Sequence, residues 1–214
     1  MRETMLSRDG YVIIAARGLR MFAYGCLSVV LALYLSAAGF SVIQIGVLFT
    51  VALAGGAAVT AVVSLRADRW GRRMTLVVSA VLMAVAGAAL AARPDFSLLL
   101  VLAALGTLSP GGQDVGAFQS LEQAALLETG SSRDHVMPYA WYNLVGSAAL
   151  AIGALAAGAV PAVLHPAGWT SLAAQRALVW VFAATGVVSA GLYATLSRSA
   201  EGPPRQPSAP RRGL

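Results

Sequence analysis

The sequence predicts an all-α membrane protein with six transmembrane helices and both termini in the cytoplasm. Three observations carry this prediction: the composition, a series of long apolar runs, and the distribution of arginine between those runs. The 214 residues are 58% hydrophobic and only 11% charged, whereas ordinary globular domains carry about 25% charged residues. A chain with so little charge cannot cover a soluble surface, so we expect it to lie in lipid.

Apolar runs long enough to cross a bilayer follow one another along most of the chain. A transmembrane helix needs about 20 mainly apolar residues. On this basis the sequence predicts spans at residues 11–35, 41–64, 74–92, 96–121, 138–164 and 175–196. Ser41 followed three residues later by Gln44 is the pattern of a capping box, which marks the start of the second helix. We expect residues 1–197 to form one six-helix bundle.

The fourth span is interrupted by helix-breaking residues. It is apolar as far as Leu108 and then continues Ser-Pro-Gly-Gly-Gln-Asp over residues 109–114. Proline and glycine free backbone groups that lipid cannot satisfy, so such a break must face other helices or a watery cavity. We therefore expect a kink here, followed by a helical stretch that reaches about Glu128.

The C-terminal segment differs abruptly in composition from the spans. Residues 198–214 hold four of the nine prolines and four arginines, with few large apolar side chains. Segments of this kind cannot bury enough apolar surface to fold. The sequence predicts a disordered cytoplasmic tail.

Arginine is distributed unevenly between alternate loops. All 15 basic residues are arginines: two precede the first span, four lie between spans two and three, one between spans four and five, and four in the tail. The opposite side has only Arg93 and Arg176. Short cytoplasmic loops are enriched in basic residues, so the bias of 11 to 2 places both termini in the cytoplasm.

Other classes of function find little support in the sequence. The net charge of +6 comes from arginines beside apolar spans, so we expect no nucleic-acid partner. The single cysteine, Cys26, can form no intrachain disulfide. We find no metal-ligand cluster, nucleophile elbow or phosphate-binding glycine loop. We therefore expect no metal, no cofactor and no enzymatic activity.

The most specific motif is the stretch Arg-Ala-Asp-Arg-Trp-Gly-Arg-Arg at residues 66–73. It concentrates four arginines and one acid between two apolar runs, where a tight hairpin is expected. The stretch resembles the loop between the second and third helices of major facilitator superfamily transporters, whose signature is roughly G-x-L-A-D-R-x-G-R-R. Six positions match, while Ser64 replaces the leading glycine and Arg66 the leucine.

This resemblance implies gating roles for the loop. Asp68 would latch against a helix N-terminus of an opposite bundle, and Arg72 would pair with Glu122, which we expect near the cytoplasmic surface. The motif also includes Gly71 and two further arginines, Arg69 and Arg73. For these two arginines, the alternative that they only fix the topology is the better explanation.

Charged residues inside the spans predict a polar path. An arginine near a helix centre costs about 2.5–3.5 kcal/mol unless it is paired or hydrated. Arg17 and Arg20 lie three residues apart and so share one face of the first helix. Arg17 either snorkels to the interface or takes part in function, whereas Arg20 lies deeper.

The resemblance places the first and fourth helices along a central cavity, which puts Arg20, Gln113 and Asp114 on the substrate path. A structural ion pair is the alternative for these charges, and Asp114 is also a candidate proton carrier. Tyr142 and Asn143 are polar enough to line the same cavity.

Two departures from the family limit what the resemblance implies. The fourth helix lacks the arginine-containing pattern of proton-coupled members. The fifth lacks the Gly-Pro pair typical of antiporters, so proton antiport is not supported. Its glycines, Gly146, Gly153 and Gly158, instead favour close helix packing.

The function that the resemblance implies is transport of a small molecule across the plasma membrane by alternating access. Six spans are half of a two-bundle transporter, so the chain is a truncated product, a split half or a half-size carrier that dimerises. Its expected partners are the lipid bilayer, a small-molecule substrate and a second six-helix bundle. A non-transporting membrane scaffold or partner subunit is the alternative, and a membrane-embedded enzyme is a weaker one.

Overall fold

The computed structural model describes residues 7–92, 95–112, 117–129 and 136–197, and this part of the chain consists of helices and turns without a strand. The helices are α1 (Arg8–Ala37), α2 (Val42–Trp70), α3 (Arg72–Ala92), α4 (Phe96–Ala104), α5 (Ala117–Thr129), α6 (Val136–Leu164) and α7 (Ser171–Ala194), with a 3₁₀ turn at His165–Ala167. Within these residues, five helices (α1, α2, α3, α6 and α7) are long and apolar enough to cross a membrane. The all-α membrane fold is confirmed at this level.

The helix starts follow local capping chemistry. The amide of Ser41 donates to Gln44 Oε1 at 2.9 Å, and the amide of Gln44 donates to Ser41 Oγ at 3.3 Å. This is the reciprocal pair of a capping box, as predicted. Thr170 caps α7 with a single hydrogen bond, because its hydroxyl accepts from the amide of Ala173 at 3.2 Å.

The arginine-rich stretch is mostly helical, which corrects the expectation of a loop over residues 66–73. α2 continues as far as Trp70, α3 begins at Arg72, and Gly71 alone separates them. Gly71 has a φ of 81°, a left-handed conformation that only glycine adopts without strain. Arg66, Ala67 and Arg69 are good helix formers, and the stretch before Gly71 contains no proline or glycine that would end α2 earlier.

The fourth predicted span is two helices rather than one kinked helix. α4 ends at Ala104, five residues before the expected break at residue 109, and α5 starts at Ala117. The break begins at Gly106, where φ is 67°. A Cβ on Gly106 would lie 3.0 Å from the Cα of Gly56, so the close approach to α2 favours glycine here and the left-handed turn ends the helix.

α1 is the central helix of the bundle, and it packs against α6 and α7. Its contact with α6 is backbone to backbone. A Cβ on Gly25 would lie 2.2 Å from the carbonyl oxygen of Leu150, and one on Gly153 would lie 2.1 Å from that of Phe22. Small residues allow such approaches between membrane helices. The packing role predicted for Gly153 is confirmed, whereas Gly158 has nothing within 4 Å of its Cβ position.

α3 and α7 form a second close pair, and arginines cap it at both ends. At the start of α7, Arg176 donates to the carbonyls of Ala91 and Ala92 at 2.5 and 2.6 Å. At the start of α3, Arg73 donates to the carbonyl of Ala194 at 2.5 Å. Each arginine thus places a cation at the other helix's C-terminus, where unpaired carbonyls and the helix dipole favour positive charge.

The beginning of α1 and the end of α7 lie together. Asp9, buried in the first turn of α1, accepts a hydrogen bond from the hydroxyl of Ser197 and another from its amide at 3.4 Å. The two ends of the described bundle are therefore at the same end of the molecule. The proposed tail, residues 198–214, lies outside the described residues.

Candidate functional site

A buried ion pair lies between α1 and α5. Arg20 projects from α1, and its two terminal nitrogens donate to the two oxygens of Glu122 on α5, at 2.7 and 3.0 Å. Both side chains are fully buried in the bundle. The parallel arrangement of two N–H···O bonds is the strongest and most directional pairing available to a carboxylate.

Two tyrosine hydroxyls complete the surroundings of the carboxylate. Tyr142 on α6 donates to Glu122 Oε2 at 2.8 Å, and Tyr193 on α7 donates to Glu122 Oε1. Tyr193 also accepts a hydrogen bond from Arg20. Each carboxylate oxygen therefore has one guanidinium and one phenol donor, and the pair holds four helices together.

Aromatic rings cover the two arginines. The guanidinium carbon of Arg20 lies 4.0 Å from the centre of the Phe118 ring, and that of Arg17 lies 4.6 Å from the centre of the Tyr142 ring. Both distances are within the range of cation–π attraction. Tyr142 therefore links the arginines, because its ring faces Arg17 while its hydroxyl reaches Glu122. We call these six side chains, Arg17, Arg20, Phe118, Glu122, Tyr142 and Tyr193, the charged cluster.

The position of the charged cluster explains why two arginines can lie inside a membrane helix. An unpaired ion is expensive in a low-dielectric interior, and pairing with further hydrogen bonds is what offsets that cost. Gly146 makes room for Arg17, since a Cβ there would lie 2.8 Å from Arg17 Nε. Arg17 is only 7% exposed, so its side chain packs within the bundle.

The partner of Glu122 corrects one prediction. We expected Glu122 near the surface with Arg72, and the structure instead buries its carboxylate against Arg20. The physical reason is the length of arginine: from α1 its side chain reaches α5 and remains inside the bundle. Arg72 is the first residue of α3 and is half-buried.

The remaining predicted site residues either lie apart from the charged cluster or fall outside the residues that the structure describes. Gln113 and Asp114 fall outside the described residues, as do the side chains of Asp68 and Arg69, so their roles stay predictions. Asn143 donates to the carbonyl of Tyr139 in its own helix at 3.0 Å.

Two members of the charged cluster, Phe118 and Tyr193, had no place in the sequence prediction. Tyr193 carries a usable signal, because a tyrosine in an apolar span needs a partner for its hydroxyl when buried. Phe118 carries none, since one more apolar ring in a helix indicates only packing.

The chemistry available to the charged cluster is ion pairing and hydrogen bonding between fixed groups. It contains a carboxylate, which accepts hydrogen bonds, and two guanidiniums and two phenols, which donate them. In the part of the chain that the structure describes, no three His, Cys, Asp or Glu side chains are arranged to hold a metal ion.

Comparison with known proteins gives a clear relationship. The sequence profile of the Major Facilitator Superfamily matches residues 13–213. An uncharacterized membrane protein of Saccharomyces cerevisiae, YJR124C, is 34% identical over 152 residues, which cover 71% of this chain and 34% of that protein. The matched part is thus about a third of the relative's length. No solved structure matches significantly.

Proposed function

Because the chain belongs to the major facilitator superfamily, a family of membrane transporters, we propose that it forms one six-span half of a carrier for a small molecule. The two halves would rock around a site near the bilayer midplane, so that the site opens to each side in turn. The observation that carries this proposal is the charged cluster, which places three charged side chains among membrane-spanning helices. Ionisable residues inside membrane-spanning segments are rare and often mark substrate or ion pathways.

The contact between the two described ends supports six crossings. Five complete spans would leave the start of α1 and the end of α7 on opposite sides of a membrane, yet Asp9 and Ser197 are in contact. The discontinuous segment formed by α4 and α5 supplies the sixth crossing. Broken helices of this kind are tolerated where they face protein or a cavity, and in transporters they form binding sites.

The arginine bias favours a cytoplasmic location for the end of the bundle at which Asp9 and Ser197 meet. We infer the plasma membrane as the location. The second bundle is supplied by a further part of a longer polypeptide, by another chain or by a second copy of this one, since half of a carrier leaves its cavity without an opposite wall.

Orientation is tested by cysteine labelling. Single cysteines replace Ser64, Ser132 or Ser171 in a Cys26→Ala background. Intact cells that carry each variant are then treated with an impermeant thiol reagent. We expect only Ser171 to react, because the arginine-poor end faces outward. Labelling at Ser132 without labelling at Ser171 would show that the protein has the opposite orientation.

Transport is tested with a mixture of metabolites rather than with one chosen substrate. Vesicles containing the purified chain are incubated with a cell extract, and uptake of metabolites is followed by mass spectrometry. We expect a small set of related compounds to accumulate, with a rate that rises as the square of protein density if two copies form the carrier. The control is Arg20→Leu/Glu122→Leu, which removes both charges of the ion pair together. A protein-dependent uptake that is linear in protein density down to one chain per vesicle would exclude the requirement for a second bundle.

A non-transporting scaffold or partner subunit is the second candidate, and the internal pairing of the charged cluster favours it. Both oxygens of Glu122 are satisfied by protein donors, as expected of an ion pair that only fixes helix packing. The same vesicles separate the two candidates. The scaffold would be supported if vesicles that contain the folded wild-type protein took up no more metabolite than empty vesicles, with or without added partner membranes.

A further inference from the structure

An apolar groove opens on the outer surface of the bundle between α2 and α3. It has a volume of about 310 Å³, and its wall includes Val59, Val63, Thr75, Ser79, Leu82 and Leu105. Met74 and Val78 at its rim are 62% and 44% exposed. The groove therefore faces the surroundings of the bundle rather than its core.

The groove lies at the point where α4 ends. α2 packs along α4, while α2 and α3 contact each other only sparsely. α4 ends at Ala104 and its next residue, Leu105, forms the end of the groove. Beyond that point α4 no longer covers the space between α2 and α3.

Helical spacing puts two arginines on the groove-facing sides of α2 and α3, one turn beyond the residues that line the groove. On α2, Val59, Val63 and Arg66 are spaced by four and three residues, which places Arg66 on the face of the groove one turn nearer the Gly71 turn. On α3, Arg72, Thr75 and Ser79 are spaced by three and four residues, which places Arg72 on the corresponding face of that helix. Arg66 is exposed and Arg72 is half-buried.

We propose that this groove binds one anionic phospholipid, with its phosphate at Arg66 and Arg72 and an acyl chain along the apolar wall. From Met74 to Leu82 the wall runs about 12 Å along α3, the direction that a chain takes from headgroup to membrane interior. Each guanidinium has five N–H donors, so a phosphate contact adds to the contacts that these arginines already make. Basic pockets between membrane helices recognise anionic headgroups in this way.

The proposal predicts selectivity for a negative headgroup attached to an acyl chain. The full chain, purified in detergent, is titrated with dioleoyl phosphatidylglycerol, and retained lipid is counted by native mass spectrometry. The zwitterionic phosphatidylcholine with the same acyl chains and glycerol 3-phosphate without them are titrated in parallel. We expect one retained phosphatidylglycerol, at least tenfold weaker retention of phosphatidylcholine, and none of glycerol 3-phosphate.

Substitutions locate the site. Arg66→Gln and Arg72→Gln should each weaken retention about fivefold, the equivalent of about 1 kcal/mol per arginine near a headgroup. The matched control is Arg8→Gln, which removes an exposed arginine from the first turn of α1 and should leave retention unchanged. Ser79→Trp fills the groove and should abolish retention, whereas Val81→Trp, on an exposed part of α3, should not. Circular dichroism and thermal unfolding establish that each variant is folded.

Three outcomes would overturn the proposal. Equal retention of both lipids would mean that the arginines play no part. Binding of glycerol 3-phosphate at the same affinity would indicate a site for a free anion. A lipid-independent dimer that Ser79→Trp dissociates would show that a second copy of the chain covers the groove.

Discussion

Replacing Arg20 by leucine should destabilise the bundle by about 3–5 kcal/mol, the largest effect that we expect from any single side chain. The substitution leaves the Glu122 carboxylate fully buried without its counter-ion, and an uncompensated buried charge has a cost of this size. Glu122→Leu should cost a similar amount, because it leaves the guanidinium of Arg20 unpaired. Denaturation of the purified protein in detergent measures both losses.

The double variant Arg20→Leu/Glu122→Leu gives the sharper result. It removes both charges, so its loss should be clearly smaller than the sum of the two single losses, with a coupling of about 2–3 kcal/mol. Arg8→Leu, at an exposed position of the same helix, is the matched control and should change stability by no more than about 0.5 kcal/mol. Additive losses of stability for the Arg20 and Glu122 substitutions would show that the ion pair is not formed in the detergent-solubilised protein. A second cycle between Arg20 and Asp114 tests whether that aspartate shares the arginine, as the sequence predicts.

The sequence predicted the fold well because its signals are long. Apolar runs of about 20 residues locate α1, α2, α3, α6 and α7 without any tertiary information, and the serine–glutamine spacing at residues 41 and 44 marked a helix start that the structure confirms. The errors occurred where the prediction rested on a few residues whose conformation depends on the residues around them. The arginine-rich stretch continues α2 up to Gly71, and the break of the fourth segment begins at Gly106 rather than at residue 109, where Gly106 lies close to Gly56 in a left-handed conformation.

The site was predicted less completely, because its partners come from distant parts of the chain. The depth of Arg17 and Arg20 in an apolar run was enough to mark them as unusual, and Tyr142 was found by its polarity. The partner of Arg20 is 102 residues away on a helix that follows an irregular segment, and spacing along the chain says nothing about that distance. The resemblance assigned Glu122 to the arginine-rich turn, and only the packing of α1 against α5, α6 and α7 shows that it lies within reach of Arg20.

The second large effect is expected at the contact between α1 and α6. Gly153→Ala adds a single methyl group, but that group would lie 2.1 Å from the carbonyl oxygen of Phe22 and 3.1 Å from the amide nitrogen of Cys26. These neighbours are backbone atoms of the central helix, so relief requires the two helices to separate along their length. We expect a loss of about 3 kcal/mol or more, at the upper end of the cost of overpacking, measured by unfolding in detergent.

Gly158→Ala provides the matched control, since it makes the same change five residues later on the same helix. No atom of another helix lies within 4 Å of its Cβ position, and alanine is the better helix former by about 1 kcal/mol, so stability should stay constant or rise slightly. The difference between the two variants isolates interhelical contact from helix propensity, because both share the propensity gain. Equal effects at the two positions would mean that α1 and α6 are not in backbone contact. The charged cluster would then lose the geometry that brings Tyr142 to Glu122 and Arg17 to Tyr142.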